Sequence, residues 1–398
     1  MKIIIIGSGI VGLSIAKSLI EKNLYKGEEI LIVDKYSIPS DGTSTHNSGV
    51  LHAGLYYKPG SLKAKLSIEG GKKLKKWCDE NKLPILECGK ILVPFNKQDD
   101  ARLDNIAINA KKNGCSIKII DFIEANKIQD GLIKKEKYLW SPKTSVFSPK
   151  LIIESLYLFL KENGVCFSKT SVIKDDSINK KLFLGNNKFI KYHRYVNCAG
   201  SGALNIAKSV TSKFDNLSIL PFLGEYAVQK SGIKIKTNLY PVPEPELPFL
   251  GIHLTPRISK SALIGPNAIP SIRTDVQGLE LNDLKQLPSI IVNNIVLFAS
   301  NIQNFRKHAI SELTFNAQNK FLKKSSQFFD KNYIKNFKLV MDKSTYGIRA
   351  QLIEKNTYKF INDFIFEEID GNIHIVNAVS PAFTSCFALA DFITDKLI

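Results

Sequence analysis

Six residues near the start of the chain, Gly7-Ser8-Gly9-Ile10-Val11-Gly12, have the types and spacing that let a main chain hold a diphosphate. The first glycine allows a tight turn, the second lets the backbone approach the phosphates, and the third lets the next helix pack close to the preceding strand. A helix beginning there offers unpaired N–H groups and the positive end of its dipole to the anion. Asp34 stands roughly 20 residues further on, at the end of the next apolar run, where a carboxylate accepts hydrogen bonds from ribose hydroxyls. An acid rather than an arginine there argues against a 2′-phosphorylated nucleotide. The chemistry implied is dinucleotide binding, and the motif alone does not say which dinucleotide.

The surrounding elements suit the motif. Lys2–Ile6 is a short apolar strand, Gly12–Asn23 has helical periodicity and Glu29–Asp34 is a second buried strand, which makes a β-α-β unit. A polar loop, Ser37–Asn47, follows, then an amphipathic helix over Ser61–Asn81 with a basic outer face that includes Lys72, Lys73, Lys75 and Lys76. Leu86–Pro94 is expected as a strand, Asp99–Asn113 as a helix and Ser148–Asn163 as a helix opened by Ser-Pro. Strands follow near Val165–Val172 and Tyr195–Asn197. Strand-like segments dominate Ser218–Pro266, helical ones fill much of 280–340, and Ile373–Val376 leads into a helix over Ser380–Leu397.

Composition narrows the class. At 398 residues, with 44% hydrophobic and 23% charged residues, the chain can build two cores and enclose a cofactor. The net charge of +18 comes from lysines scattered among Asn and Ile, a pattern of solvated surface rather than a nucleic-acid footprint. A weak attraction to anionic lipid is compatible with it. A basic nucleic-acid- or membrane-binding protein without catalysis is the remote alternative. The six cysteines, at 78, 88, 115, 166, 198 and 386, have neither disulfide nor zinc spacing and are expected as reduced, mostly buried thiols; no metal site is expected. No run reaches the ~20 apolar residues that span a bilayer. The expectation is a cytoplasmic protein, peripheral at the inner face of the membrane at most.

Tyr195-Val196-Asn197-Cys198-Ala199-Gly200 resembles the strand end that returns beside the ADP site in two-dinucleotide-binding flavoproteins. Ser380–Ser385 precedes a helix which, in that class, aims its N-terminus at the flavin pyrimidine, where a positive dipole end stabilises charge on the reduced ring. A ligand reached from residues 7, 34, 200 and 380 is long, which favours FAD. Expected cofactor contacts are Gly7, Ser8, Gly9, Ile10, Val11, Gly12, Asp34, Lys35, Thr45, Asn47, Ser48, Val172, Ala199, Gly200, Arg349, Pro381 and Thr384. No His or Cys stands where a covalent flavin link is expected, so the FAD is expected to be noncovalent.

Seven blocks make the likeness more specific: His46–Leu66, Cys88–Pro94, Pro221–Tyr226, Asn238–Arg257, Gly265–Ala268, Tyr346–Leu352 and Asn377–Ser385. Together they resemble the L-2-hydroxyglutarate oxidase/dehydrogenase family of the D-amino-acid-oxidase superfamily. The resemblance implies an α/β fold: a Rossmann-like FAD-binding domain from residues 1–85, 148–216 and 344–398, and an inserted α+β antiparallel-sheet substrate domain from 86–147 and 217–343. It implies oxidation of L-2-hydroxyglutarate to 2-oxoglutarate, with oxygen, a quinone or a carrier protein as electron acceptor. Related branches act on glycerol 3-phosphate or amino acids but lack the Asn238–Arg257 block. One departure is Leu223, where the family commonly carries Arg.

Oxidising a 2-hydroxy acid sends a hydride to the flavin and the hydroxyl proton to a base. Of six histidines, His52 and His253 fall in family blocks and are expected to flank the substrate hydroxyl, one as base and one as orienting donor; which is which stays open. His193, His308 and His374 lie outside the blocks and are expected to be surface or packing residues. Arg257 and Arg349 are the expected carboxylate clamps, with Tyr57, Lys58 and Glu225 as further pocket residues.

Overall fold

The computed structural model describes residues 2–36, 42–244, 249–259, 261–275, 281–313 and 316–397. Part of the polar loop (37–41) and of the proline-rich block (245–248) lies outside them. Two large sheets dominate. The first runs in the order Ile365–Ile369, Asn372–Asn377, Arg194–Asn197, Ile3–Ile6, Ile30–Asp34, Cys166–Lys169. All its neighbours are parallel except the first pair. Ile3–Ile6 is buried at every position, as a continuous apolar run must be when both faces of a parallel strand are covered. Helices Ile10–Glu21, Leu62–Glu80, Pro149–Glu162 and Ala382–Thr394 cover one face, joining Leu13, Trp77, Leu156 and Phe387 in one core. On the other face Ile4, Ile6 and Tyr195 meet Leu182 and Tyr192.

The second sheet has eight strands, in the order Lys338–Met341, Ala227–Ser231, Ala262–Gly265, His253–Pro256, Asn238–Pro241, Lys90–Val93, Tyr138–Ser141, Lys118–Ile120. It is antiparallel apart from one parallel pair, Asn238–Pro241 with Lys90–Val93. These two strands come from distant stretches of chain, so no hairpin turn dictates their direction. Ile91 and Val93 face a core with Phe321, Phe328 and Phe329. Leu92 faces the opposite core with Leu55, Leu139 and Tyr240, and alternation puts Lys90 on that same side. A long ribbon, Leu217–Gly224 against Gly347–Glu354, pairs Phe222 with Arg349.

Strand positions follow the sequence expectations to within a few residues, with two refinements. Leu86–Pro94 breaks into Ile85–Leu86 and Lys90–Val93, and Val165–Val172 is the end of one strand and the start of another, Cys166–Lys169 and Val172–Asp176. Of the six cysteines only Cys78 and Cys386 are buried, and Cys166 is exposed, so the thiols are less enclosed than composition suggested. The lysines at 72–76 form a wet helical face on which Lys73 and Lys76 pair with Glu69 and Glu80. No helix among the described residues is long and apolar enough to cross a membrane.

Candidate active site

Ile6 and the turn after it bring the glycine motif to the carboxyl end of the first sheet. The Gly7 N–H donates to the Val33 carbonyl (2.8 Å) and the Cys198 N–H to the Ile6 carbonyl (2.8 Å). These bonds draw three strand ends together so closely that a Cβ on Gly7 (φ +109°) would sit 2.3 Å from the Cys198 carbonyl oxygen, and one on Gly12 would sit 2.0 Å from the Gly7 oxygen. Only glycine fits either place. The Asp34 carboxylate accepts from the Ser8 N–H (2.6 Å), the Ser8 hydroxyl (2.8 Å) and the Tyr36 N–H (2.9 Å), so it braces the turn from beneath. Ser44 adds a feature that sequence reasoning missed: its hydroxyl accepts from the Ile10 N–H (3.0 Å) at the start of the helix.

From this turn a cavity of about 920 Å³ runs between the two sheets. Gly9, Lys35, Ser44 and Gly200 line one end, and His52, Tyr240, His253 and Arg349 line the other. The Ala382–Thr394 helix points its N-terminal residues, Pro381 to Thr384, into the wall between them. Thr384 fixes this junction: its hydroxyl accepts from the His52 N–H (3.1 Å) and donates to the Val50 carbonyl (3.4 Å).

Among the described residues, His52 Nδ1 and His253 Nε2 at the inner end have no hydrogen-bond partner, nor does Tyr56 Oη, which does not line the cavity. The His253 tautomer follows from its surroundings. Nδ1 lies 2.9 Å from the Gly251 carbonyl oxygen, which can only accept, so Nδ1 carries the proton and Nε2 presents a lone pair. Burial pushes His253 down to about 3, opposed by the Gly251 carbonyl and reinforced by Lys90. Burial also holds His52 well below the ordinary histidine range, with Lys90, His253 and Lys63 repelling a further charge. Both rings are neutral at physiological pH. Arg349 lies over the Phe249 ring (5.4 Å) beside Tyr57; burial lowers it to about 10, which leaves it charged.

Of the expected contacts, Gly9, Ile10, Val11, Lys35, Asn47, Ser48, Ala199, Gly200, Pro381, Thr384, His52, His253 and Arg349 line the cavity. Gly7, Ser8, Gly12 and Asp34 lie one layer behind it. Thr45 holds the loop, its hydroxyl donating to the Gly42 carbonyl (3.0 Å). Val172 packs with Ile4 and Tyr195 on the far side of the sheet. Arg257 is not brought to the cavity: its strand ends at Pro256, and the side chain is exposed beyond the sheet edge. Lys58 is likewise exposed. Tyr57 sits behind the wall, and Glu225 is held to Asn267, accepting from its Nδ2 (2.8 Å). His308, expected at the surface or in packing, lines the cavity, stacked on Phe249 (5.0 Å) with Nε2 2.9 Å from the Ala268 carbonyl. His193 is exposed, and His374 is buried against Tyr195 (3.0 Å) and Asn197 (3.2 Å), as packing residues should be. Leu223 does not line the cavity although its neighbours Phe222 and Gly224 do, as strand alternation requires of a side chain on the opposite face.

Comparison with known proteins gives this architecture its place. Residues 2–396 match the family described as "DAO: FAD dependent oxidoreductase". The chain belongs to this family. Similar full-length proteins include the mitochondrial L-2-hydroxyglutarate dehydrogenase of Caenorhabditis briggsae, 32% identical over all of this chain and 93% of that protein. The L-2-hydroxyglutarate dehydrogenase of Salmonella houtenae is 26% identical over 99% of this chain and 92% of its own. Among solved structures, the FAD-bound L-alpha-glycerophosphate oxidase of Mycoplasma pneumoniae superposes with a TM-score of 0.71 at 19% identity, covering 100% of this chain and 94% of that one. The glycine oxidase of Geobacillus kaustophilus superposes with a TM-score of 0.70 at 13% identity over the same shares. These two likenesses establish the fold. The cavity of this FAD-dependent oxidoreductase fits the cofactor: its volume lies at the upper end of the roughly 300–1,000 Å³ usual for ligand sites. A glycine turn and a helix N-terminus meet at one end and a second helix N-terminus opens midway, as an elongated anionic dinucleotide requires.

Proposed function

We propose that this chain oxidises L-2-hydroxyglutarate to 2-oxoglutarate using FAD. The observation that carries the reading is the inner end of the cavity, where an imidazole lone pair on His253 and the His52 ring, whose Nδ1 is unpartnered among the described residues, share a wall with the charged Arg349. Such a group suits an acid bearing a hydroxyl, and the full-length relatives named above support the dicarboxylate. When bound, FAD supplies the two-electron acceptor for the hydride leaving the carbinol carbon.

The rest falls to the chain's own residues. His253 Nε2 takes the hydroxyl proton, because its other nitrogen is committed to Gly251. His52 orients the hydroxyl, its main chain pinned by Thr384. Arg349 holds a carboxylate by paired donors. Phe222, Tyr226, Tyr240 and Phe249 line the cavity and keep water from the reacting atoms. The same reading assigns the first sheet to the flavin and the second to the substrate.

The test is anaerobic mixing of the flavin-loaded protein with L-2-hydroxyglutarate, D-2-hydroxyglutarate, glycerol 3-phosphate and sarcosine. Rapid bleaching of the flavin by the first compound supports the reading. Bleaching by glycerol 3-phosphate or sarcosine instead overturns it.

A further inference from the structure

Lys90 is the most unusual charged residue in the protein. It sits mid-sheet at 1% exposure. Among the described residues it makes no salt bridge and no side-chain hydrogen bond. Its Nζ lies 4.0 Å from the centre of the Tyr240 ring and 5.2 Å from that of Tyr56. The Tyr240 ring is stacked on His253, with centroids 3.9 Å apart and planes 17° apart. An ammonium and an imidazole therefore share one aromatic ring, and Tyr240 and His253 line the cavity while Lys90 does not.

We propose that Lys90 is a positioning residue for proton transfer: from behind Tyr240, its charge adds to burial in keeping His253 and His52 neutral where they face the substrate. The inference rests on the hydroxy-acid oxidation proposed above. Burying an unpaired ammonium is costly, and a methionine would fill the space beside Leu92 and Leu139 without that cost. The charge is therefore not there for packing. The ring quadrupoles of Tyr240 and Tyr56 offset part of the penalty, and burial lowers Lys90 to about 7, so it carries its charge through the acid range in which an imidazole would otherwise protonate.

The other groups facing this cluster do not supply the same field at His253. Lys63, which donates to the Asn362 carbonyl, repels charge at His52 less than Lys90 does and has no part at His253, and Arg349 stands beside Tyr57. Tyr57, Tyr226 and Cys88, which face Tyr240, are raised by burial and so neutral. In the reaction, the substrate O–H bond breaks and its proton moves to His253 Nε2 as the hydride leaves to FAD. A cation behind the ring then disfavours the imidazolium and hastens its loss of that proton to water once the product has left.

The test is the pH profile of anaerobic flavin reduction by L-2-hydroxyglutarate. A base that must be neutral gives a rate that falls at acid pH, and removing the neighbouring cation raises the base's proton affinity. Lys90→Met is expected to move that acid limb upward by roughly one pH unit or more. Cys88→Asp, which keeps Lys90 but gives it a counter-ion, is expected to move it the same way. A folded, flavin-loaded Lys90→Met with the wild-type limb, whatever its rate, overturns the proposal. If Lys90→Met does not fold, an unmoved limb in Cys88→Asp overturns it. Should neither fold, imidazole-nitrogen NMR of the wild-type protein decides: His253 must stay neutral down to pH 5, and protonation above pH 6 refutes the role. If L-2-hydroxyglutarate fails to bleach the wild-type flavin, the substrate reading falls, and the limb is read with whichever compound does reduce it.

Discussion

Two adjacent glycines in the Leu62–Glu80 helix should respond oppositely to a single methyl group. A Cβ on Gly70 would lie 2.5 Å from the Thr384 carbonyl oxygen and 2.6 Å from the Ser385 Cα, both backbone atoms of the helix tip that lines the cavity. A Cβ on Gly71 would meet the Thr384 methyl at 3.6 Å, an ordinary contact. Relief at Gly70 requires the tip to retreat by about 1 Å, since overpacked interiors give way only by shifting backbone. The cost is ~1–3 kcal/mol of stability. A displacement of that size at a reacting geometry can slow turnover ~100-fold, and Thr384 transmits it directly to the His52 main chain. Gly71→Ala should be neutral or stabilising by ~0.5–1 kcal/mol, because alanine is the better helix former. The assay is thermal unfolding of the flavin-loaded protein together with stopped-flow flavin reduction. Equal stability and rate in Gly70→Ala and wild type, or equal damage from both variants, would refute the packing argument.

Three further expectations follow from the geometry. His253→Gln should slow flavin reduction ~100- to 10,000-fold through loss of the base while the flavin stays bound, as read by absorbance before and after mixing. Arg349→Met should raise KM for L-2-hydroxyglutarate ~10- to 100-fold, the worth of a lost charge-assisted bond, with kcat falling less; a reversed split in steady-state kinetics counts against the clamp. Asp391 joins three helices, accepting from Ser18 (2.6 Å) and pairing with Lys73. Burial works against its carboxylate, but Lys73 and Ser18 prevail and hold it below the ordinary range. Its stabilisation is therefore full above the unfolded value near pH ~4 and is lost as pH falls through the lower folded value. Melting scans should show the gap between wild type and Asp391→Asn narrowing below that point.

Legibility in the sequence tracked how local each signal is. The glycine turn was readable because the strand, three glycines and a timed acid all lie within one supersecondary unit. Arg349 and His52 were reachable through the blocks that carry them. Arg257 shared a block with His253, yet position along a block does not say where a strand leaves the sheet, and the side chain emerges into solvent. Ser44 and His308 were missed because their partners, Ile10 and Ala268, are 34 and 40 residues away. Lys90 was invisible for a different reason: a lone lysine in a strand reads as solvent-facing, and only the neighbouring strands reveal that both faces are covered.

The cavity wall draws on stretches far apart in sequence, with Gly9 and Thr384 on a common surface. A ribosome would therefore have to release everything between these two residues before the compartment could close. Until then the nascent protein has a glycine turn without the Ala382–Thr394 helix, and cofactor capture must wait for that helix. A ligand filling the cavity would tie the glycine turn to the Ala382–Thr394 helix, adding ~2.7 kcal/mol to stability when free FAD is 100-fold above its Kd. A clip that frees the Ala382–Thr394 helix should then release the flavin as surely as a lesion in the glycine turn.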